Sequence, residues 1–89
     1  MQTDTDQIDT KLRDILVDIL GISRGIADAL THESGLFGAL PELDSMAVTN
    51  LLGEVEDRFG LVIDDEEIDA DMLETFGSLI AFVRTKCAR

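Results

Sequence analysis

The chain has 89 residues, a formal net charge of −12 and a single cysteine. This length predicts one domain, residues 1–89, with little room for a deep catalytic cleft. The excess of acidic residues argues against binding to nucleic acid or anionic membranes and favours partner proteins with basic surfaces. Hydrophobic residues make up 45% of the sequence, enough for a core, but no apolar run approaches the length of a membrane span.

The two ends of the chain suggest where the protein works. Residues 1–7 are polar and do not resemble a signal peptide. Cys87 has no second cysteine to pair with, as is usual in a reducing compartment. We therefore expect a cytoplasmic monomer that does not insert into a membrane, with residues 1–5 frayed.

The first predicted helix ends near Leu20, with Gly21 as its C-cap. Its apolar residues keep the helical period: Ile8, Leu12, Ile15, Leu16 and Ile19. Residues 21–43 follow as a long loop that contains both glycines and apolar side chains. Because loops of this length are uncommon in compact domains, we expect its apolar side chains to pack across the helices. A short helical turn is expected near residues 26–30.

A second helix is predicted for residues 45–59. Its apolar residues form one stripe at helical spacing: Val48, Leu51, Leu52, Val55 and Phe59. Asp44 is a suitable N-cap, which places Ser45 in the first turn of the helix. Unpaired N–H groups and the helix dipole favour a phosphate there. Gly53 lies in the helix interior, where glycine costs about 1 kcal/mol in helix propensity.

The remaining residues predict one short and one longer helix. Residues 61–63 are expected to form a buried connector, and residues 64–67 begin a short third helix anchored by Ile68, Met72 and Leu73. Thr75 caps a final helix with one apolar face: Phe76, Leu79, Ile80 and Val83. The predicted fold is all-α, a small four-helix bundle of three longer helices and one short helix with a long first loop.

Hydrolytic and metal chemistry both fit this sequence poorly. His32 is the only available base, Ser45 lacks a Gly-x-Ser-x-Gly elbow, and Asp44 is adjacent to the serine rather than opposed to it. The acids at residues 64–71 lack the glycine that an EF-hand requires at its sixth position. We therefore expect no catalytic residue and no metal site.

Three segments in register resemble the acyl carrier protein family: Asp44-Ser45-Met46, residues 54–67 and residues 74–79. The resemblance covers nearly the whole chain. It implies a carrier rather than an enzyme, with 4'-phosphopantetheine from coenzyme A attached to Ser45 and acyl cargo held as a thioester. It also implies two kinds of partner. The first is a phosphopantetheinyl transferase that recognises Asp44 and Met46. The second comprises the enzymes that load or use the cargo.

Residues 36–46 are similar to stand-alone carriers associated with bacterial exosortase and exopolysaccharide systems. The family usually places a buried aromatic residue at the position of Leu36-Phe37. Many carriers of fatty acid synthesis have acids where this chain has Ala47 and Asn50. These departures argue against the standard fatty acid synthase partners.

Two further sets of residues are expected to serve the carrier. The first would line a shelter for an acyl chain: Val48, Leu52, Val55, Phe59, Ile63 and Ala81. The second lies opposite or beside the apolar stripe and would meet partners: Met46, Ala47, Asn50, Gly53, Glu54 and Asp57. Two alternatives are an aminoacyl or peptidyl carrier, whose cargo stays outside the bundle, and a non-covalent helical adaptor.

Overall fold

The computed structural model describes residues 3–41, 43–69 and 71–87. Its α-helices are α1 (Thr3–Leu20), α2 (Arg24–Ala29), α3 (Ser45–Phe59) and α4 (Phe76–Cys87), and Asp65–Glu67 form a 3-10 helix. The predicted all-α fold with three longer helices is confirmed. The predicted turn in the long loop is α2, and the predicted short third helix is a single 3-10 turn. Within the described ranges, no helix is long and apolar enough to cross a membrane.

α1 lies at the centre of the packing and contacts α2, α3 and α4. The predicted apolar faces form the core, and its fully buried large side chains come from three helices and the loop: Leu12, Ile15, Leu16, Leu36, Leu51, Val55, Phe76, Leu79 and Val83. Residues 1–5 were expected to be frayed. Residues 3–5 form the first turn of α1, and Met1 and Gln2 lie outside the described residues.

The predicted helix ends at Gly21 and Thr75 are confirmed. Gly21 has a φ of 72°, a left-handed conformation that favours glycine, and its N–H donates to the carbonyl of Val17 at 3.0 Å. The Ser78 N–H donates to the Thr75 hydroxyl and the Thr75 N–H donates to the Ser78 hydroxyl, both at 3.0 Å. This reciprocal pair starts α4 in the manner of a capping box.

Backbone hydrogen bonds tie the long loop to the segment that precedes α4. An antiparallel bridge joins Gly35 and Thr75. Four N–H groups donate at 2.9 Å across this contact: Leu36 to Glu74, Phe37 to Leu73, Phe76 to Ser34, and Gly77 to His32. The loop is therefore part of the folded body, which explains how so long a connection is tolerated.

We expect Gly77→Ala to destabilise the protein by about 1–3 kcal/mol, the usual range for inserting atoms into a packed site. A Cβ at Gly77 would lie 2.7 Å from the carbonyl oxygen of His32, which accepts the Gly77 N–H. Urea denaturation measures the change. Gly25→Ala is the control, because in α2 the added Cβ meets only the Ser23 hydroxyl, at 3.9 Å. Equal stabilities for the two variants would show that the loop moves away at no cost.

Arg13 of α1 forms hydrogen bonds with α2 and with Leu30, the residue that follows α2. Its guanidinium donates to the backbone carbonyls of Ala27 and Leu30 and forms an ion pair with Asp9. It also lies 4.8 Å from the ring centroid of the buried Phe76. The hydrogen bond with Asp9 raises the pKa of Arg13, so the group remains charged. One side chain thus joins α1, α2 and α4.

Candidate functional site

Ser45 is the first residue of α3 and is exposed to solvent. Asp44 is the N-cap with extended backbone, and its Oδ1 accepts from the Ala47 N–H at 2.8 Å. Within the described residues, the Ser45 hydroxyl has no hydrogen-bond partner. The N–H groups of Ser45 and Met46 likewise have no acceptor among those residues. An accessible hydroxyl therefore lies beside two free donors at the positive end of the helix dipole, a setting that suits an attached phosphate.

An outer groove of about 310 Å³ begins at this serine. We define the outer groove by its lining residues: Phe37, Ser45, Val48, Ile68, Asp69 and Leu73. Most of these side chains are apolar, and Phe37 is 44% exposed. A chain attached to Ser45 would therefore lie next to an apolar surface.

An inner cavity of about 320 Å³ lies farther along α3. We define it by its lining residues: Val48, Thr49, Leu52, Gly53, Glu56, Ile63, Asp65 and Ile68. Val48 and Ile68 line both spaces, so the two are neighbours. The inner cavity lies between α3 and residues 63–68, next to the outer groove that begins at Ser45.

Comparison with known proteins identifies the family. A family model described as a phosphopantetheine attachment site matches residues 10–83, most of the chain. The chain belongs to the acyl carrier protein family. Its fold is similar to the solution structure of a holo acyl carrier protein from Nitrosomonas europaea, with a TM-score of 0.83 and 41% sequence identity. The match covers 92% of this chain and 96% of that one. The predicted carrier family and its 4'-phosphopantetheine cofactor are thus confirmed.

The residues predicted to shelter an acyl chain do not all lie together in the carrier. Val48, Leu52 and Ile63 line the inner cavity. Val55 is instead fully buried in the core. Phe59 lines neither space and lies under Lys11, whose Nζ is 5.3 Å from its ring centroid. Ala81 was placed wrongly, because it is exposed on α4.

The difference arises because the apolar stripe of α3 serves two purposes. Leu51 and Val55, one turn apart, are fully buried in the core. Val48 and Leu52, also one turn apart, line the inner cavity. Apolar periodicity predicts one buried face, whereas the neighbouring elements decide which side of that face meets the core and which meets a cavity.

The predicted partner face of α3 is also changed by the structure. Met46 is 76% exposed, and Asn50 and Asp57 are exposed as well. Ala47 is half-buried, and Gly53 lies at the wall of the inner cavity rather than opposite the core. An ideal helical wheel places Gly53 opposite the core, whereas in the structure Gly53 contributes to the wall of the inner cavity.

The negative charge of Glu54 is compensated within the protein. Its carboxylate forms an ion pair with Arg58 at 2.6 Å, and Arg58 also pairs with Asp18 of α1 at 2.6 Å. The hydrogen bonds that the Arg58 guanidinium donates to the carboxylates of Asp18 and Glu54 raise the pKa of Arg58. Asp57 has no such partner within the described residues. It is therefore the acid on this part of α3 with its charge available to a partner.

The aromatic residue in the long loop also differs from the expectation. The family position of Leu36-Phe37 was expected to bury an aromatic side chain. Here Leu36 is fully buried, whereas Phe37 is partly exposed and lines the outer groove. Phe76 is the fully buried aromatic residue. Phe37 is thus available to the site.

Sequence reasoning also missed polar residues at the inner cavity. Thr49, Glu56 and Asp65 all contribute to its wall. Thr49 and Glu56 are separated by two helical turns, which was a signal that they share a face of α3. Asp65 belongs to the 3-10 helix, and its place in the wall depends on how that segment packs. The position of Asp65 in the cavity wall is therefore visible only in the tertiary structure.

Proposed function

We propose that Ser45 of this carrier is the residue to which 4'-phosphopantetheine is attached. The observation that supports this most directly is its free, exposed hydroxyl at the start of α3, beside the outer groove. The Ser45 oxygen would form a bond to the phosphorus of the coenzyme A pyrophosphate. The pyrophosphate P–O bond would break, and adenosine 3',5'-bisphosphate would leave. The attached arm then supplies a terminal thiol that holds acyl cargo as a thioester.

The carrier's own residues position the serine and do not activate it. Asp44 orders the first turn of α3 through its hydrogen bond to the Ala47 N–H. No side chain in the described part of the chain accepts a hydrogen bond from the Ser45 hydroxyl. The base and the Mg²⁺ that activation requires would therefore come from the phosphopantetheinyl transferase. In this proposal the chain is a substrate and then a shuttle, not an enzyme.

The experiment that tests this proposal uses the wild-type protein, coenzyme A and a phosphopantetheinyl transferase of broad specificity. We expect intact-mass spectrometry to show the addition of one arm per chain. Fragmentation should place that arm on the peptide that contains Ser45. A protein that stays unmodified under conditions in which another carrier is converted would contradict the proposal and favour a non-covalent adaptor.

We further propose that partner enzymes dock on α3 beside Ser45, with Asp44 and Met46 recognised by the transferase. Met46 provides an exposed, adaptable apolar contact, and Asn50 extends the same exposed surface. Asp57 would attract basic residues of the partner, whereas Glu54 contributes less because it is paired with Arg58. Free, exposed Cys87 and the net charge of −12 support a cytoplasmic, monomeric carrier.

Two substitutions should distinguish the apolar contact made by Met46 from the electrostatic attraction exerted by Asp57. Met46→Ala should speed dissociation from the transferase and change the free energy of unfolding by less than about 0.5 kcal/mol, as is usual at an exposed site. Asp57→Lys should instead slow association several-fold at low salt and weaken its salt dependence. Stopped-flow binding measures both rates.

Glu33→Lys is the matched control for the charge change, because Glu33 is exposed in the loop between α2 and α3. It makes the same change in net charge away from α3. If Glu33→Lys slowed association as much as Asp57→Lys, attraction would depend on total charge rather than on this face. If Met46→Ala left the dissociation rate unchanged, Met46 would not contact the partner.

A further inference from the structure

Most acidic side chains of α3 and its N-cap are engaged within the protein. Asp44 accepts from a backbone N–H of the first helical turn at 2.8 Å. Glu56, near the other end of the helix, accepts from the Ile63 N–H at 2.7 Å. Glu54 forms an ion pair with Arg58 at 2.6 Å. A chain with a net charge of −12 therefore presents little of that charge on the helix that carries the proposed attachment site.

The spacing along α3 decides which acid Arg58 neutralises. Glu54 and Asp57 are three residues apart, so their side chains are neighbours on the helix surface. Arg58 follows Glu54 by four residues, the spacing and the order that favour an ion pair. It follows Asp57 directly, and adjacent residues of a helix do not face each other. Without Arg58, a partner would meet two neighbouring carboxylates, whereas with it only Asp57 is available.

Asp18 of α1 holds the Arg58 guanidinium in place. The Arg58 Nε donates to Glu54 Oε2 and its Nη2 donates to Asp18 Oδ2, both at 2.6 Å. A basic side chain of a partner would therefore have to displace Arg58 from Glu54 before it could bind that carboxylate. The bridge joins α3 to α1 and also removes the Glu54 charge from the surface that a partner meets.

We infer that Arg58 determines which partner enzymes dock on α3. This inference rests on the proposed docking of partners beside Ser45. Enzymes whose basic residues require two neighbouring acids are disfavoured, because they must displace Arg58 from Glu54 or leave one of their own charges unpaired. Enzymes that offer an apolar contact to Met46 and a single basic residue to Asp57 are favoured. Arg58 is thus a specificity-determining residue of the carrier.

The test is a double-mutant cycle on the binding of the apo protein to a phosphopantetheinyl transferase whose docking surface is basic. Wild type, Arg58→Gln, Glu54→Gln and the double variant are compared by titration calorimetry at low salt, without coenzyme A. Arg24→Gln is the matched control. It makes the same change in net charge and releases Asp14 and Asp28, which Arg24 pairs at 2.8 and 3.9 Å, while Glu54 stays paired.

We expect Arg58→Gln to tighten binding several-fold more than Arg24→Gln does. Glu54→Gln should cancel this gain in the double variant and weaken the binding of wild type much less. A looser contact between α1 and α3 would lower the melting temperature of Arg58→Gln, but it would not make binding depend on Glu54.

The inference is overturned if Arg58→Gln binds no more tightly than Arg24→Gln, because net charge alone would then explain the gain. It is also overturned if Glu54→Gln weakens binding by the same factor with and without Arg58. Failure of the transferase to attach an arm to wild type when coenzyme A is added would instead contradict the proposed function.

Discussion

Replacing Ser45 with alanine is expected to abolish attachment of the phosphopantetheine arm completely. The hydroxyl oxygen is the nucleophile in the proposed reaction, and alanine leaves no atom to take its place. The fold should survive, because the hydroxyl is exposed and has no hydrogen-bond partner within the described residues. We expect the free energy of unfolding to change by less than about 0.5 kcal/mol.

Intact mass after incubation with coenzyme A and transferase measures the loss, and circular dichroism shows that the helices are retained. Ser23→Ala is the matched control. Ser23 is also an exposed serine at a helix N-terminus, where its hydroxyl accepts from the Ile26 N–H at 3.1 Å. Loss of that cap should cost about 1 kcal/mol, yet the arm should still attach. An arm on the Ser45→Ala protein would show that another residue is the site.

Replacing Arg13 with methionine should produce a large loss of stability, about 2–3 kcal/mol. The change leaves the Leu30 carbonyl without its donor and removes the contact with Phe76. The Ala27 carbonyl keeps the N–H of Leu30, at 3.2 Å. In a domain of this size the melting temperature should fall by about 10 °C or more. Urea denaturation and a thermal melt followed by circular dichroism measure the two quantities.

Arg24→Met provides the comparison for Arg13. Arg24 pairs with Asp14 at 2.8 Å, but its side chain is 54% exposed. Surface ion pairs contribute little, so this variant should lie within about 0.5 kcal/mol of wild type. Equal losses for the two variants would mean that removing any positive charge destabilises so acidic a chain. The bonds of Arg13 to the loop would then not be the cause.

The helical class, the main helices and the position of the serine could all be predicted from the sequence. The period of the apolar residues predicted the buried sides of α1 and α4, and the local chemistry of Gly21, Asp44 and Thr75 marked helix ends. These features depend on residues a few positions apart. Such residues interact in the same way wherever the helix later packs.

The way in which these parts combine into a site depends on how the helices and loops pack together. The apolar stripe of α3 is divided between core and inner cavity, because α1 covers one side while residues 63–68 lie across the other. Glu54 is compensated by Arg58, which also reaches Asp18, forty residues earlier in the chain. Ala81 is exposed, whereas Phe37 lies beside Ser45. Each outcome depends on contacts between residues far apart in sequence, and the spacing of residues along one helix carries no information about those contacts.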